Sequence, residues 1–308
     1  MTTSIKPRIA VLMTAYNGME WIEKQIQSIL NQSQIDVSLF ISIDLSTDGT
    51  YEWCKNLEGR YPQVDVLPYG EKYGGAAPNF FRMLRDVSFE TFNAVAFADQ
   101  DDIWFENKLS RALDQIHTRE VDGYSSNVIA FWPSGKQQLI QKSQRQKQWD
   151  YLFEAAGPGC TYVFTKELAL ALQSFCKLHQ EQLKPIMLHD WFSYAFARAN
   201  NFKWYIDNNS SLYYRQHTGN QVGANNGLIA FIYRFKTISS GKGIRQSALL
   251  AKTLGIDNTA FVTSWLSLKR FNLLKLALYS RKCRRKFTEQ CFFSFACILM
   301  AAVGVNEK

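Results

Sequence analysis

The distribution of apolar residues predicts four strands that alternate with three helices near the N-terminus. Apolar runs rich in strand-forming residues occur at positions 9–13, 37–43, 65–68 and 92–98. Each of the first three is followed by a polar loop and then by apolar residues at helical spacing. This alternation indicates an α/β fold, in which a mostly parallel central sheet is flanked by helices.

The alternation weakens after residue 104. Helices are predicted from 109 to 116, from 166 to 176 and from 188, strands at 127–132, 157–164, 203–206 and 211–214, and an exposed polar loop or helix end at 137–148. From residue 228 the pattern is helical, with basic residues between apolar ones. We therefore predict a sheet domain over residues 1–225 and a basic, apolar helical extension over 226–308.

Composition narrows the class of protein. With 308 residues, 46% hydrophobic and 20% charged, the chain is long and apolar enough for a sizeable core. Its net charge of +8 is uneven: from residue 226 onward fourteen Lys and Arg face Asp257, Glu289 and Glu307, which gives +11 there and −3 in the remainder. No nucleic-acid partner is expected, because the basic patch would have to lie on the main domain.

The cysteines and the N-terminus indicate the compartment. None of the six cysteines forms a Cys-x-x-Cys pair, which argues against a disulfide scaffold or a zinc site. The N-terminal residues lack the apolar core of a signal peptide. We expect a protein of the reducing cytoplasm.

Three carboxylates, Asp99, Asp101 and Asp102, directly follow the apolar run at 92–98. In open parallel sheets, ligands bind beyond the carboxyl ends of the strands, so this loop should converge with those that begin at Thr14 and Asp44. Asp-x-Asp suits a hard divalent cation such as Mg²⁺ or Mn²⁺. The alternative is that one aspartate caps a helix starting near Ile103 while the others are solvated.

Several motifs, taken as an ordered set, resemble glycosyltransferase family 2. They are TAYNG at 14–18, SIDLSTDGT at 42–50 and FADQDD at 97–102, followed by GPGC at 157–160, HDW at 189–191 and YRQHTGN at 214–220. The last of these resembles the closing motif of bacterial rhamnosyltransferase-like members. The resemblance covers roughly the first 225 residues, and it implies a GT-A fold with a single nucleotide-binding domain and inverting transfer of sugar from a nucleotide-diphosphate donor.

Carried over residue by residue, the resemblance implies specific roles. Asp190 is the catalytic base, Asp101 and His217 bind Mn²⁺ or Mg²⁺, and Gly159 and Trp191 lie on the acceptor side. The nucleotide sugar is expected to contact Thr14, Ala15, Tyr16, Asn17, Asp44, Asp99 and Gln100. One departure is Ile43, which stands where the family usually has the first of two adjacent acids. The identity of the nucleotide base therefore stays open.

Taken alone, several of these residues have simpler explanations. Asp190 could cap a helix, His217 could be a hydrogen-bonded loop residue, and Tyr16 could be ordinary packing. It is the combination of motifs with strand-end positions that favours the functional interpretation.

The predicted function is transfer of rhamnose or another deoxyhexose from a dTDP- or UDP-linked donor to a lipid-linked or oligosaccharide acceptor. The pathway would be the biosynthesis of a surface polysaccharide such as O-antigen or capsule. Two alternatives are a metal-dependent phosphohydrolase, which could use the same aspartates, and a non-catalytic membrane-associated scaffold.

The extension has two interpretations. It could be a helical cap with solvated basic residues, or it could lie on an anionic membrane surface with Trp265, Phe271, Phe292 and Phe293 at the acyl boundary. The apolar segment at 291–305 is too short for a confident membrane span. We expect the protein to be peripheral on the inner face of the cell membrane.

Overall fold

The computed structural model describes residues 6–217 and 241–304, which fall into two compact units. The first unit contains residues 6–143 and 156–217, and the second contains 144–155 and 241–304. The predicted boundary at 225 lies outside the described residues. Inclusion of residues 144–155 in the second unit was not predicted from the sequence.

One sheet organises the first unit. Its strands within the described residues are β1 (Arg8–Ala15), β2 (Asp36–Ile43), β3 (Val64–Val66), β4 (Ala94–Ala98), β5 (Ile103–Trp104), β6 (Gly123–Phe131), β7 (Gln137–Ile140), β8 (Val163–Thr165) and β9 (Trp204–Arg215). They lie in the order β3-β2-β1-β4-β8-β6-β9-β5, with β7 beside β6. Strands β3, β2, β1 and β4 are parallel, as are β6 and β9, while β8 is antiparallel to both of its neighbours.

Helices connect the strands of this unit. They are α1 (Ile22–Leu30), α2 (Thr50–Glu58), α3 (Ala76–Asp86), α4 (Lys108–Arg119), α5 (Lys166–Leu178), α6 (Gln180–Leu183) and α7 (His189–Ala199). Every residue of β4, and every residue of β1 after Arg8, is buried. Strands buried on both faces are apolar throughout, which is why they appear in the sequence as continuous runs.

The structure differs from the predicted elements at four places. The strand predicted at 157–164 is instead a 3₁₀ turn, Gly159–Thr161, followed by the short strand β8. Residues 137–140 form the edge strand β7 rather than a loop, because β6 pairs with them. The two predicted closing strands are one long strand, β9. Ile103 and Trp104 pair with β9 as β5, and α4 begins only at Lys108 with Asn107 at its N-cap, so the capping alternative for the aspartates is wrong.

The second unit is helical over residues 241–304. Its helices are α8 (Lys242–Thr253), α9 (Ala260–Thr263), α10 (Arg270–Leu278), α11 (Ser280–Cys283) and α12 (Phe287–Val303), and residues 144–155 add a short 3₁₀ turn. No helix among the described residues is both long and apolar enough to cross a membrane.

Aromatic side chains form the core of this unit. Trp149 stacks on Phe261 with ring centroids 4.6 Å apart, and Phe153 contacts both Trp265 and Phe293. Trp265 is fully buried. Its predicted position at a membrane boundary is therefore wrong, because its ring contributes to the core.

The basic run at 281–286 is partly internal. The Arg285 guanidinium is buried and lies 3.3 Å from Asp150 Oδ2 and 3.2 Å from Glu154 Oε2. Arg284 pairs with Glu289 at 2.9 Å. Two arginines of the run thus join residues 144–155 and α12 into one unit, while Arg281, Lys282 and Lys286 stay exposed.

We expect Arg285→Met to lower the free energy of unfolding of the second unit by about 3 kcal/mol, because it removes the buried guanidinium that pairs with the fully buried Asp150 carboxylate. Urea unfolding followed by tryptophan fluorescence measures this, since Trp149 and Trp265 both lie in the unit. The exposed neighbour is the control: Lys286→Met should change stability by no more than about 0.5 kcal/mol. Equal effects of the two substitutions would contradict a structural role for the buried pair.

Candidate active site

The loops that follow β1 and β2 are joined by hydrogen bonds. The Asn17 N–H donates to Ser46 Oγ at 3.1 Å, and the Thr47 N–H donates to Asn17 Oδ1 at 2.9 Å. Asn17 has a φ of 44°, a left-handed conformation that asparagine tolerates better than most residues. The two loops therefore form one rim at the carboxyl end of the sheet.

Gln100 connects this rim to the loop after β4. Its side chain accepts a hydrogen bond from the Tyr16 N–H at 2.8 Å and donates one to the Tyr16 carbonyl at 2.9 Å. A Cβ on Gly18 would lie 2.3 Å from Gln100 Oε1, so a larger residue there would have to displace the Gln100 amide. Thr14 and Ala15 are buried in β1, whereas the Tyr16 side chain is 57% exposed, which argues against ordinary core packing.

Asp44 is a buried anchor on the same rim. Its carboxylate accepts the N–H groups of Leu45 at 2.9 Å, Tyr73 at 2.8 Å and Gly74 at 2.7 Å. These bonds fix the segment before α3 against the end of β2. The sequence motif identified Asp44, but the participation of residues 73 and 74 was not predicted.

The acidic loop after β4 concentrates charge in a buried place. Ligand-type atoms of Asp99, Asp102 and Cys160 all lie within 4.8 Å of one another. Burial, and then the charge of Asp101, raises the pKa of Asp99 to about 7, and the same two causes raise the pKa of Asp102 well above its usual range. No N–H or O–H group of the described residues donates to the buried Oδ2 of Asp102.

His217 lies beside this cluster. Its Nε2 is 2.6 Å from Asp101 Oδ2, and its ring stacks on Trp21 with centroids 4.1 Å apart. The Arg215 side chain donates to the Asp101 carbonyl at 2.8 Å, which ties the end of β9 to the acidic loop. The two predicted metal ligands are thus brought together from positions far apart in the sequence.

The residues present fit a hard divalent cation. Carboxylate oxygens with one imidazole are a donor set that Mg²⁺ or Mn²⁺ accepts. The buried Asp102 oxygen accepts from no described N–H or O–H group, and three aspartates are crowded together, so both features favour a positive charge at this position.

Asp190 lies in the first turn of α7. Its Oδ1 accepts the N–H of Trp191 at 2.7 Å. Burial raises its pKa to about 6, and backbone hydrogen bonds from Trp191 and Gly159 together with the charge of Lys142 oppose that rise. Because its charge also raises the pKa of Asp99, Asp190 lies within electrostatic reach of the acidic loop.

The neighbouring His189 is a packing residue. Its ring stacks on Phe80 at a centroid distance of 3.8 Å and meets the edge of Phe97 at 5.3 Å. Burial lowers its pKa to about 3, so the ring is neutral. Gly159 packs so closely here that a Cβ would lie 2.7 Å from His189 Nε2 and 3.0 Å from Asp190 Cβ.

Two further residues of this region were not predicted from the sequence. Trp21 belongs to what looks like an ordinary apolar stripe, and only the stack on His217 reveals it. Lys108 is buried, its Nζ lies 3.4 Å from the Trp104 ring centroid, and burial lowers its pKa to about 7. A lysine at the start of a helix gives no sequence signal for such a position.

We expect Gly159→Ala to reduce turnover at least about tenfold, because the added Cβ must displace the His189 ring or the Asp190 side chain from its place. Nucleotide affinity should be nearly unchanged, since the rim formed by the loops after β1 and β2 is not touched. A transfer assay paired with calorimetry of nucleotide binding separates the two effects. The control is Gly243→Ala in α8, where no heavy atom lies within 4 Å of the added Cβ; turnover as high in Gly159→Ala as in this control would contradict the argument.

The mostly parallel sheet, with the acidic loop at the carboxyl end of β4, agrees with a GT-A fold. Residues 10–167 match the family model described as Glycosyl transferase family 2, and the chain belongs to this family.

Relatives and solved structures agree with this assignment. The chain is 42% identical over 288 residues to dTDP-rhamnosyl transferase RfbG of Shigella flexneri, across 93% of this chain and 99% of that protein. It is 33% identical over 119 residues to the putative teichuronic acid biosynthesis glycosyltransferase TuaG of Bacillus subtilis (strain 168), across 38% of this chain and 45% of TuaG. The crystal structure of S. aureus TarS 1-349 in complex with UDP-GlcNAc has the same fold, with a TM-score of 0.55 at 13% identity over 97% of this chain and 90% of that one.

The predicted fold class, family and enzyme class are confirmed. The protein is a glycosyltransferase that uses a nucleotide sugar. Family membership favours sugar transfer over the phosphohydrolase and scaffold alternatives.

Proposed function

We propose that the protein transfers rhamnose, or another deoxyhexose, from a dTDP-linked donor to a saccharide acceptor, with inversion at the anomeric carbon. The observation that carries this proposal is similarity to the Shigella rhamnosyltransferase along nearly the full length of both chains. The acceptor would be lipid-linked or an oligosaccharide, and the product part of a surface polysaccharide such as O-antigen or capsule.

The donor would lie on the rim formed by the loops after β1, β2 and β4. Thr14, Ala15, Tyr16 and Asn17 would contribute the β1 side, Asp44 the β2 side, and Asp99 and Gln100 the β4 side. The exposed Tyr16 ring offers a flat surface for a base or sugar. Ile43 is buried and apolar, so it gives the nucleotide base no carboxylate contact.

Asp101 and His217 would hold Mn²⁺ or Mg²⁺, with Asp99 and Asp102 adding negative charge around it. When bound there, the cation supplies the positive charge that stabilises the departing nucleoside diphosphate. Trp21 holds the His217 ring by stacking, and Arg215 holds the acidic loop through the Asp101 carbonyl. These contacts preorganise the ligands.

Asp190 would act as the general base. The acceptor hydroxyl oxygen bonds to the anomeric carbon as the bond from that carbon to the diphosphate oxygen breaks, and the hydroxyl proton goes to the Asp190 carboxylate. A pKa of about 6 leaves the group mostly ionised at neutral pH while keeping it basic enough to accept the proton. Gly159 and Trp191, which flank Asp190, would contact the acceptor.

A lipid-linked acceptor would require the enzyme to work at the inner face of the cell membrane. We propose peripheral attachment there, supported by the exposed basic residues Arg281, Lys282 and Lys286 of the second unit.

A binding screen of nucleotide sugars with Mn²⁺ tests the donor. Calorimetry should rank dTDP-rhamnose above UDP-glucose and UDP-GlcNAc, and transfer to an undecaprenyl-diphosphate saccharide should require the same donor. A higher rank for a UDP-sugar would exclude the dTDP donor. A flat response to every donor would contradict the proposal as a whole.

Two substitutions separate the metal ligand from the base. Asp101→Asn should weaken both donor binding in Mn²⁺ and turnover, because it removes a ligand's charge. Asp190→Asn should leave nucleotide and Mn²⁺ binding nearly intact while turnover falls roughly 100-fold or more, the usual scale for losing a positioned base. If Asp190→Asn instead lost nucleotide affinity as severely as Asp101→Asn, another group would have to activate the acceptor.

The pH profile tests the same base independently. Because the raised pKa of Asp190 is about 6, its carboxylate is progressively protonated as pH falls through that value. We expect kcat/KM to fall below about pH 6 and to level off above it, since only the ionised form accepts a proton. The residual activity of Asp190→Asn should not fall below about pH 6. If the fall persists in this variant, another group causes it.

A further inference from the structure

One face of α10 is apolar and yet exposed. Leu273, Leu276 and Ala277 are buried inside the second unit. On the opposite side Phe271, Leu274 and Leu278 are 65%, 44% and 83% exposed. A surface helix of a globular protein normally carries polar residues on that side, so this helix is apolar on both faces without being buried on both.

Basic residues flank this exposed face. At about 100° per residue, Phe271, Leu274 and Leu278 fall within an arc of about 60°. Arg270 lies on one side of the arc and Lys275 on the other, and both are exposed. Lys275 Nζ is 4.7 Å from the Phe271 ring centroid. An apolar centre with flanking cations is the pattern of a helix that lies in a membrane interface.

The neighbouring α12 has a similar outer face. Its exposed positions are Phe287, Thr288, Cys291, Phe295, Ile298, Ala302 and Val303, and all but Val303 fall within an arc of about 100°. The only charged residue of this 17-residue helix is Glu289, which pairs with Arg284. An uncharged face therefore extends along roughly 25 Å of helix.

The charges around these helices are almost all positive. Residues 241–304 carry eleven Lys and Arg against Asp257 and Glu289, a net charge of +9. Arg284 and Arg285 are paired inside the unit, whereas six basic residues on or next to α10, α11 and α12 are exposed: Lys269, Arg270, Lys275, Arg281, Lys282 and Lys286. A surface with this positive charge is electrostatically complementary to an anionic partner.

We propose that the exposed faces of α10 and α12 dock on an anionic lipid bilayer, with the apolar side chains at the acyl boundary and the basic residues at the headgroups. We call these faces the lipid-facing surface. The inference deepens the peripheral attachment proposed above and rests on it, but it is independent of the donor and of the base. A second copy of the chain is a poorer occupant, because each copy would bring the same +9 against the other.

Vesicle co-sedimentation of the full-length protein tests this surface. Wild type should bind phosphatidylcholine vesicles that contain phosphatidylglycerol, bind pure phosphatidylcholine weakly, and lose binding as salt rises. The double variant Leu274→Gln/Leu278→Gln should bind the anionic vesicles at least about tenfold more weakly, because it removes apolar contact. Its control is Leu178→Gln in α5 of the first unit, a leucine that is 77% exposed and should be neutral.

A charge pair tests the headgroup contacts. Lys275→Glu/Lys282→Glu should lose anionic-vesicle binding, whereas Lys177→Glu, an exposed lysine of α5, should retain it. Circular dichroism should be unchanged in all variants, since the substituted side chains are exposed. Nucleotide-sugar affinity should also be unchanged, because none of these residues lies at the acidic loop.

Three results would overturn the inference. The first is a wild type that does not bind anionic vesicles, and the second is a Leu274→Gln/Leu278→Gln variant that binds them as tightly as Leu178→Gln does. The third is a wild-type dimer in light scattering that the leucine variant converts to monomer with vesicle binding intact, which would assign the surface to a second copy. Vesicle binding that fails while rhamnose transfer to a soluble acceptor persists would remove this inference and leave the proposed catalytic function intact.

Discussion

The crowding of Asp99, Asp101 and Asp102 at the carboxyl end of β4 is the constraint on which the first unit depends. Burial favours the neutral forms of Asp99 and Asp102, and the charge of Asp101 adds to that preference. The arrangement persists because the fold fixes it from several sides. Gln100 binds the loop after β1, Arg215 binds the carbonyl of Asp101, and β5 pairs with β9 just after the acidic loop.

The proposed base, Asp190, lies on a different element from this cluster, although its charge still reaches Asp99. Asp190 comes from α7, and the close approach of Gly159 sets its position. Burial is the main cause that raises the pKa of Asp190, and the charge of Lys142 partly opposes it. The two carboxylate environments of this unit thus differ in the way the proposed reaction requires. The acidic loop favours a bound cation, whereas Asp190 is a carboxylate that can take up a proton.

The second unit follows a different principle. Arg285 and its buried carboxylate partners hold residues 144–155 to the helices, and an aromatic core around Trp265 fills the interior. With the interior filled, the remaining apolar residues of α10 and α12 stay outside. Their exposure follows from the packing and could not be inferred from hydropathy, since buried Trp265 and exposed Phe271 are similar in the sequence.

The sequence by itself determined the parallel half of the sheet and the motif residues of its loops, because strands buried on both faces require continuous apolar runs and the loops at their ends carry the polar groups. It could not determine that β9 is one strand. The polar stretch from Asp207 looks like a break, yet the Asp207 carboxylate is fully buried and is paired with Arg111 at 2.7 Å and Tyr124 at 3.0 Å. Those partners come from α4 and β6, so only the tertiary structure decides whether a buried charge is satisfied. The same holds for Trp21 against His217 and for Arg285 against Asp150, whose contacts join residues too distant in sequence for any local pattern to reveal.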